Sequence, residues 1–556
     1  DPPLAVENLF GATGLAVSPD GAHVYAVGQF DDTIAGFTRD GVDGSITFLF
    51  SLSDGETQGP DTVDGLDGAE SVVVSPDGAH VYVASFTDSA VALFARDGNP
   101  ASPTFGTLDY VTVYKDSSLG GTVADLLGAS SITLSADGGH VYVAATTDDA
   151  VAIFARDTVP ASPTYGQLTP VAGPVDSIGG VDGLDGAQWV RVTPDGVHVY
   201  VASGVDKAIA VFARNASTGA LTWVQAIKDG VDGANGLDGA SSVDVSIDGS
   251  SVYATGPNED AVAVYSRDDA NGMLTFVEME VDGTNGVDGL DGATGVVSSF
   301  DGRYVYVNGY LDDSVAVFAR DLETGELSYM ERERNNFGTV TGLARPVEIA
   351  VSGDDQHLYV AGNNEDAIVV FMRDALAPTL PLSLVSTSHT VGVFSNDPTV
   401  DMLWSGAADN PGGSGLAGYS FLFDATPLTA LDQTIDLLHT VDPHGTTSAP
   451  LPDGTSYYFH FRVCDLVGNC SATVHLGPYW IDATDPVNPG AIVSTTHTVD
   501  TPDPDTAITM TWIPATDALS GVDGYSVGFD AIPATACDET KELEEGATTT
   551  TSAALA

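Results

Sequence analysis

Residues 11–40 read GATGLAVSPDGAHVYAVGQFDDTIAGFTRD. Short apolar stretches flank the turn Ser18-Pro19-Asp20-Gly21, where proline favours the bend and glycine permits a positive φ. The apolar residues alternate or form short β-branched runs, and no i, i+3, i+4 stripe exceeds two turns. This is a strand pattern. The same unit starts again at Gly68, Gly128, Gly186, Gly239, Gly292 and Arg345. In the second copy the expected strands are Ser71–Ser75, His80–Ala84, Ala90–Ala95 and Thr107–Val113.

Four antiparallel strands per unit, seven times over, predict a seven-bladed β-propeller. The seventh copy runs into Ala377-Pro378 without a fourth strand. The segment Leu4–Phe10 has the pattern of that missing strand and is expected to complete blade seven, which removes two exposed sheet edges. The motifs SPDGxHVYVA, DxAVAVFARD and TGxLTFV resemble those of the YVTN/lactonase-like seven-bladed propellers. The resemblance covers about residues 4–375. It implies the fold, and it implies either lactone hydrolysis or a surface role without known chemistry. The Arg/Glu/His catalytic set of the lactonases does not map onto this chain.

Composition narrows the partners. The chain has 556 residues, with 17 Lys+Arg against 78 Asp+Glu and a formal net charge of −61. Nucleic-acid binding rests on Lys/Arg contacts with phosphate, so this class is excluded, as is docking on an anionic membrane. No apolar run is long enough for a membrane span. CxxCH, GxxxxGK[ST], HExxH and GxSxG are absent, which argues against a c-type haem and a nucleotide.

After Pro378 the character changes. STSHTVGVF…MLWSGAADNPGGSGLAGYSFLFD recurs as STTHTVDTP…MTWIPATDALSGVDGYSVGFD. His389 matches His497, Trp404 matches Trp512, Tyr419 matches Tyr525 and Asp424 matches Asp530. This pattern resembles the tandem immunoglobulin-like or fibronectin-III-like sandwiches of bacterial surface proteins. The expected all-β organisation is therefore a propeller over 1–377, a sandwich over 378–484 and the start of a second, truncated sandwich over 485–556. Cys464 and Cys470 flank a hairpin turn and are expected to pair, which suits an oxidising, extracellular compartment. Cys537 is left over.

Three sets of residues are candidates for function. Arg39, Arg96, Arg156, Arg214, Arg267, Arg320 and Arg373 recur in every blade beside an aspartate such as Asp40, Asp97 or Asp157. They are read as structural strand-end ion pairs or carbonyl caps. The recurrent histidines His23, His80, His140, His198 and His357 are spread round the ring and are read as structural too. Acidic turns form the second set. The loops between strands two and three and the blade-to-blade loops are expected on one face. Flexible oxygen-rich loops suit calcium. The candidate ligands are Asp64 with Asp67, Asp182 with Asp185, Asp229, Asp232, Asn235 and Asp238, and Asp282, Asn285, Asp288 and Asp291.

The third set is asymmetric. One slot on the innermost strands reads Ala16, Val73, Thr133, Arg191, Asp244, Val297 and Ala350. Arg191 and Asp244 break its neutral rule in adjacent blades, and Glu348 and Glu70 are further departures. Arg191, Asp244 and Glu348 are the catalytic candidates, with Arg stabilising an oxyanion and a carboxylate acting as base. An Arg–Asp pair that locks blades four and five is the alternative. The overall expectation is an extracellular or cell-surface binding or structural protein presenting an acidic, calcium-binding face to a protein, a glycan or copies of itself. The alternatives are a lactonase-type hydrolase with its site in the channel, and a surface-layer or filament subunit.

Overall fold

The structure, a computed structural model, describes residues 9–554 apart from 375, 411–412, 433 and 533–534. The chain divides into two compact units, 1–373 and 374–556.

The first unit is built from seven antiparallel sheets, each ordered as in the sequence. Blade two comprises Ala69–Val74, His80–Ser85, Ala90–Arg96 and Leu108–Lys115. Every residue of His80–Ser85 is buried, which explains why a strand that should alternate reads as a continuous apolar run. Val81 and Val83 pack with Tyr25 and Val27 of blade one. Tyr82 and Ala84 pack with Val141 and Val143 of blade three. Both pleat faces are therefore interfaces between blades. The fourth strand runs two residues past its expected end, which brings Lys115 up to the acidic loops.

Blade seven has three strands among the described residues, Pro346–Val351, His357–Gly362 and Ala367–Met372. Of the expected closing strand over Leu4–Phe10, all but the last two residues lie outside the described residues. Leu9 is fully buried with Tyr359 and Ala361 of blade seven. The Gly11 amide donates to Asp366 Oδ1 at 3.0 Å, so the first and seventh blades are joined there.

The recurrent arginines join the blades as well. Arg96 Nε donates to the Tyr25 hydroxyl at 2.7 Å, its Nη1 to the Gly78 carbonyl at 3.0 Å and its Nη2 to Asp20 Oδ2 at 2.7 Å. The same Nη2 is 2.9 Å from His23 Nδ1. Arg156 repeats the set with Tyr82, Gly138, Asp77 and His80. Arg39 makes it with Tyr359, Gly21, Asp354 and His357 and so closes the ring onto blade seven. The expected ion pair with the adjacent aspartate is thereby corrected. The partner carboxylate comes from the turn of the preceding blade, while Asp97 accepts from the Asn99 amide and Thr104 Oγ1 of its own loop. The arginine side chains are almost fully buried, and each needs several acceptors to offset its desolvation.

In the second unit, the strands Ser383–Ser386, Asp401–Ser405 and His444–Thr447 form one sheet. Phe394–Ser395, Val474–Ile481, Gly454–Asp465, Leu416–Asp424 and Leu437–Leu438 form another. Residues of both sheets meet in one core around Trp404, Tyr419, Phe461 and Tyr479. The Cys464 and Cys470 sulfurs are bonded, and Cys537 is free and exposed. Further on, Gly490–Ser494, Thr509–Ile513 and Thr549–Thr551 repeat the first sheet's pairing, and Trp512 lies 5.3 Å from Tyr525.

Candidate functional site

The innermost strands of the propeller surround a cavity of about 390 Å³. Its walls come from six blades, and its mouth lies among the turns that follow the first strands, with Ala136, Pro194, Ile247 and Phe300 around it. Arg191, Ser298 and Glu348 depart from the apolar rule in this lining, and Asp244 departs from it on the same strands without lining the cavity. Arg191 belongs to Ala187–Val192 of blade four and Asp244 to Ser242–Val245 of blade five. Ser298 ends Ala293–Ser298 of blade six, and Glu348 lies in Pro346–Val351 of blade seven.

Arg191 Nε forms an ion pair with Asp244 Oδ1 at 2.8 Å. The two partners are unlike in exposure: the Arg191 side chain is 43% exposed and that of Asp244 is 3% exposed. Asp244 is further held by Ser298, whose amide and Oγ both donate to Oδ2 at 2.7 Å. Both Asp244 oxygens are thus engaged, and this carboxylate positions Arg191. Arg191, with one nitrogen anchored, turns the rest of its guanidinium to the cavity, a geometry suited to a developing negative charge.

Glu348 is the remaining acid. A register shift between Pro346 and Glu348 places an extra residue in the strand, and bulges of this kind re-aim side chains. Equivalent shifts occur between Ala69 and Ser71 and between Ala187 and Trp189. The slot holds a small residue or serine in most blades: Ser71, Ser131 and Ser242 each accept a backbone N–H of the next blade's first strand. In blade seven the slot holds a carboxyl. Burial pushes the Glu348 carboxyl up to about 8; nearby Asp244 adds to this, while the Ile349 amide and Arg191 oppose it. By surface area Glu348 keeps a partial opening to the cavity. Protein nevertheless surrounds it, and the surrounding protein is what sets its proton affinity. Arg191 thus pairs with Asp244 across blades four and five, and the charges of both act on the Glu348 carboxyl.

Ser298 is a residue that sequence reasoning missed, although its signal was present. Its column reads Val17, Val74, Leu134, Val192, Val245, Ser298 and Val351. Glu70 is not among the cavity's lining residues: it sits at its own bulge and accepts from Gln29 Nε2 at 2.9 Å. Burial pushes its carboxyl up to about 7.

The acidic loops lie at the other end of the innermost strands, since each blade-to-blade loop precedes the strand and each turn at the cavity mouth follows it. Strand two–three loops and blade-to-blade loops do meet there. Oxygens of Asp54, Asp64 and Asp88 lie within 4.8 Å of one another, as do those of Asp176, Asp182 and Asp206, and of Asp282, Asp288 and Asp312. Lys115 Nζ lies 2.8 Å from both Asp64 and Asp88, and Lys228 Nζ lies 2.8 Å from both Asp182 and Asp206. Arg332 bonds Asp288. In these blades the fourth strand supplies the counter-charge. Asp67 and Asp185 stand beside the trios, and Asp291 is raised by burial and by Asp260 and Asp312. Asp229 accepts from the Leu237 amide at 3.2 Å and Asp238 pairs with Lys207 at 2.6 Å. Asp232 and Asn285 adopt positive φ at turn positions, and Asn235 is exposed.

Comparison with known proteins fits this architecture. A family described as lactonase, 7-bladed β-propeller, matches residues 56–175, 181–286 and 281–394, together more than half of the chain. Exoglucanase B of Cellulomonas fimi is 32% identical over 161 residues, which are 28% of this chain and 13% of that protein. The chain thus spans a small part of the length of that relative. Among solved structures, a 6-phosphogluconolactonase-like protein from Bacteroides uniformis has 20% identity and a TM-score of 0.45, covering 58% of this chain and 84% of its own. The periplasmic gluconolactonase of Pseudomonas aeruginosa has 19% identity and a TM-score of 0.44, with coverages of 58% and 84%. Hydrazine synthase of Kuenenia stuttgartiensis has 17% identity and a TM-score of 0.47, with coverages of 65% and 96%. The chain belongs to the lactonase family of seven-bladed β-propellers.

Proposed function

We propose that the protein hydrolyses a cyclic ester in the propeller cavity. The observation that carries this reading is the convergence, in one cavity, of an anchored half-exposed Arg191 and a buried acid, Glu348, whose proton affinity lies near neutrality. Ionised Glu348 takes a proton from water as the water oxygen adds to the acyl carbon. Arg191 faces the oxyanion, and protonated Glu348 returns the proton to the ring oxygen as the C–O bond breaks, leaving a hydroxy acid. Family membership supports the same chemistry.

The lining favours an uncharged substrate. Most of the lining residues are apolar, Leu15, Leu134, Val297, Phe300 and Ile349 among them, and Arg191 is the one cation of the lining. A phosphorylated sugar lactone carries about two negative charges at neutral pH and calls for further cations. An alkyl- or aryl-substituted lactone suits the wall better. The test is steady-state hydrolysis of substituted γ- and δ-lactones beside a phosphorylated one. Turnover of the apolar lactones, lost in Arg191→Ala, supports the proposal; no turnover of any lactone overturns it.

Two coarser readings complete the proposal. The two sheets around Trp404 support a fibronectin-III-like or immunoglobulin-like sandwich over 378–484, with a related module after 485. The Cys464–Cys470 bond supports an extracellular site of action. Retention of that disulfide in peptides from natively secreted protein tests it. An acidic face that binds calcium receives less support, because in blades two and four one lysine already bridges two carboxylates of each trio.

A further inference from the structure

Within the second unit, His439, Asp442 and His444 each offer one ligand atom, and these atoms lie within 4.8 Å of one another. The geometry points to a binding site here for a transition-metal ion of the zinc class, separate from the propeller cavity and from the acidic loops.

Four observations carry this. First, His444 is 6% exposed, and its Nε2 has no hydrogen-bond partner. A buried imidazole nitrogen left without a partner costs free energy unless something binds it. Second, that nitrogen is aimed at Asp442: Nε2 to Oδ1 is 3.7 Å, too long for a hydrogen bond. It is close to the spacing of about 3.3 Å between two ligands of a tetrahedral ion with bonds of about 2.0 Å.

Third, the groups are held from behind. Asp442 Oδ2 accepts the Gly406 amide at 2.8 Å, which leaves Oδ1 as the free oxygen. The Tyr419 hydroxyl lies 2.9 Å from His439 Nδ1 and restricts that ring. Supports of this kind orient metal ligands. Fourth, the arrangement is private to one module. The strand residue opposite Trp404 is His444. Opposite Trp512, the matching backbone bond is made by Thr548.

Two imidazoles and one carboxylate suit Zn²⁺, Co²⁺, Ni²⁺ or Cu²⁺ rather than Ca²⁺ or Mg²⁺, which prefer all-oxygen shells. Three protein ligands leave a fourth position open to water or to a partner's side chain.

The test is a Co²⁺ titration of the full chain in excess Ca²⁺, which saturates exposed carboxylates while leaving nitrogen ligands free. It is followed by visible absorption and calorimetry. The expected result is one Co²⁺ per chain with the ligand-field bands of a low-coordinate nitrogen-ligated ion, displaced by Zn²⁺. Affinity should fall at least about tenfold in His439→Gln and in Asp442→Asn. Both positions are less buried than His444, so these variants keep the proposal testable if His444→Gln misfolds. Absence of those bands, or affinity undiminished in His439→Gln and Asp442→Asn with the apo fold intact, overturns the site.

Discussion

Apart from the rim pair of Arg332 with Asp288, the propeller contains two contrasting kinds of arginine–carboxylate pair. The first recurs: Arg96 with Asp20, Arg156 with Asp77, Arg214 with Asp137 and Arg267 with Asp195. In each, the arginine is buried and also meets a carbonyl and a histidine, and in all but Arg267, whose Nε has no partner, a tyrosine hydroxyl. The second occurs once. Arg191 pairs with Asp244, keeps nearly half its side chain accessible, and lies near the part-buried acid Glu348; the raised acid of blade two, Glu70, bonds Gln29 instead. The same two residue types thus serve architecture where acceptors surround the guanidinium, and chemistry where part of it is left to a cavity. Repetition round a ring cannot build one site, whereas a broken column can.

Breaking the recurrent kind should have the largest effect. Arg156→Ala removes bonds to Tyr82, Gly138, Asp77 and His80. The expected loss of stability is about 3 kcal/mol, at the low end for a buried pair because Asp77 keeps access to water. Denaturant unfolding monitors it, and the residual folded fraction should hydrolyse lactone at the normal rate per folded molecule. Arg191→Ala should shift the weight to activity: kcat falls by about 10²–10³, while stability falls less than in Arg156→Ala, because Asp244, left buried without its cation, keeps both Ser298 donors.

Glu348→Gln sharpens the contrast further. Its folded carboxyl titrates near 8, above the ordinary 4.5. The ionised form is therefore disfavoured in the folded state, and the group costs stability increasingly as pH rises from 4.5 to about 8. The glutamine variant should melt higher than the parent at pH 8, by roughly 2 °C or more, and match it at pH 4, while losing hydrolysis. A destabilising residue kept in a cavity marks function.

Acid should expose the recurrent network. Burial and then the arginine charge hold His23, His80, His140, His198 and His357 below the ordinary 6.5, His80 to about 4. These rings are bound neutral, so the unfolded chain takes up protons first. Stability should fall as pH drops from about 6.5 towards 4, and thermal melts across that window check it. The smallest effect is on the acidic rim. Lys228→Gln removes the cation shared by Asp182 and Asp206 and should cost about 0.5–1 kcal/mol at low salt. Added Ca²⁺ should raise the melting point of the variant more than that of the parent.

Much of this architecture was legible in the residues. The Ser-Pro-Asp-Gly turns and the in-phase aromatic runs fix seven sheets, and the neutral slot fixes where Arg191 and Asp244 would stand out. What was not legible depends on contacts between blades. The partner of Arg96 is Asp20, far back in the chain, rather than Asp97 beside it, because the offset between neighbouring sheets has no local signature. Lys115 reaching Asp64 and Asp88 follows from a strand extended past its expected end. The raised proton affinity of Glu348 comes from its surroundings, which a list of columns does not contain. Ser298 could have been found, since serine in an otherwise valine and leucine column is a departure of the same kind as Asp244.

The most direct test is the pH dependence of kcat/KM for an apolar lactone in the parent and in Glu348→Gln. The account predicts a rate that rises with pH through an apparent pKa near 8 in the parent, and a flat, greatly reduced rate in the variant. An unchanged profile in Glu348→Gln, or lactone turnover indifferent to both Arg191 and Glu348, would contradict it.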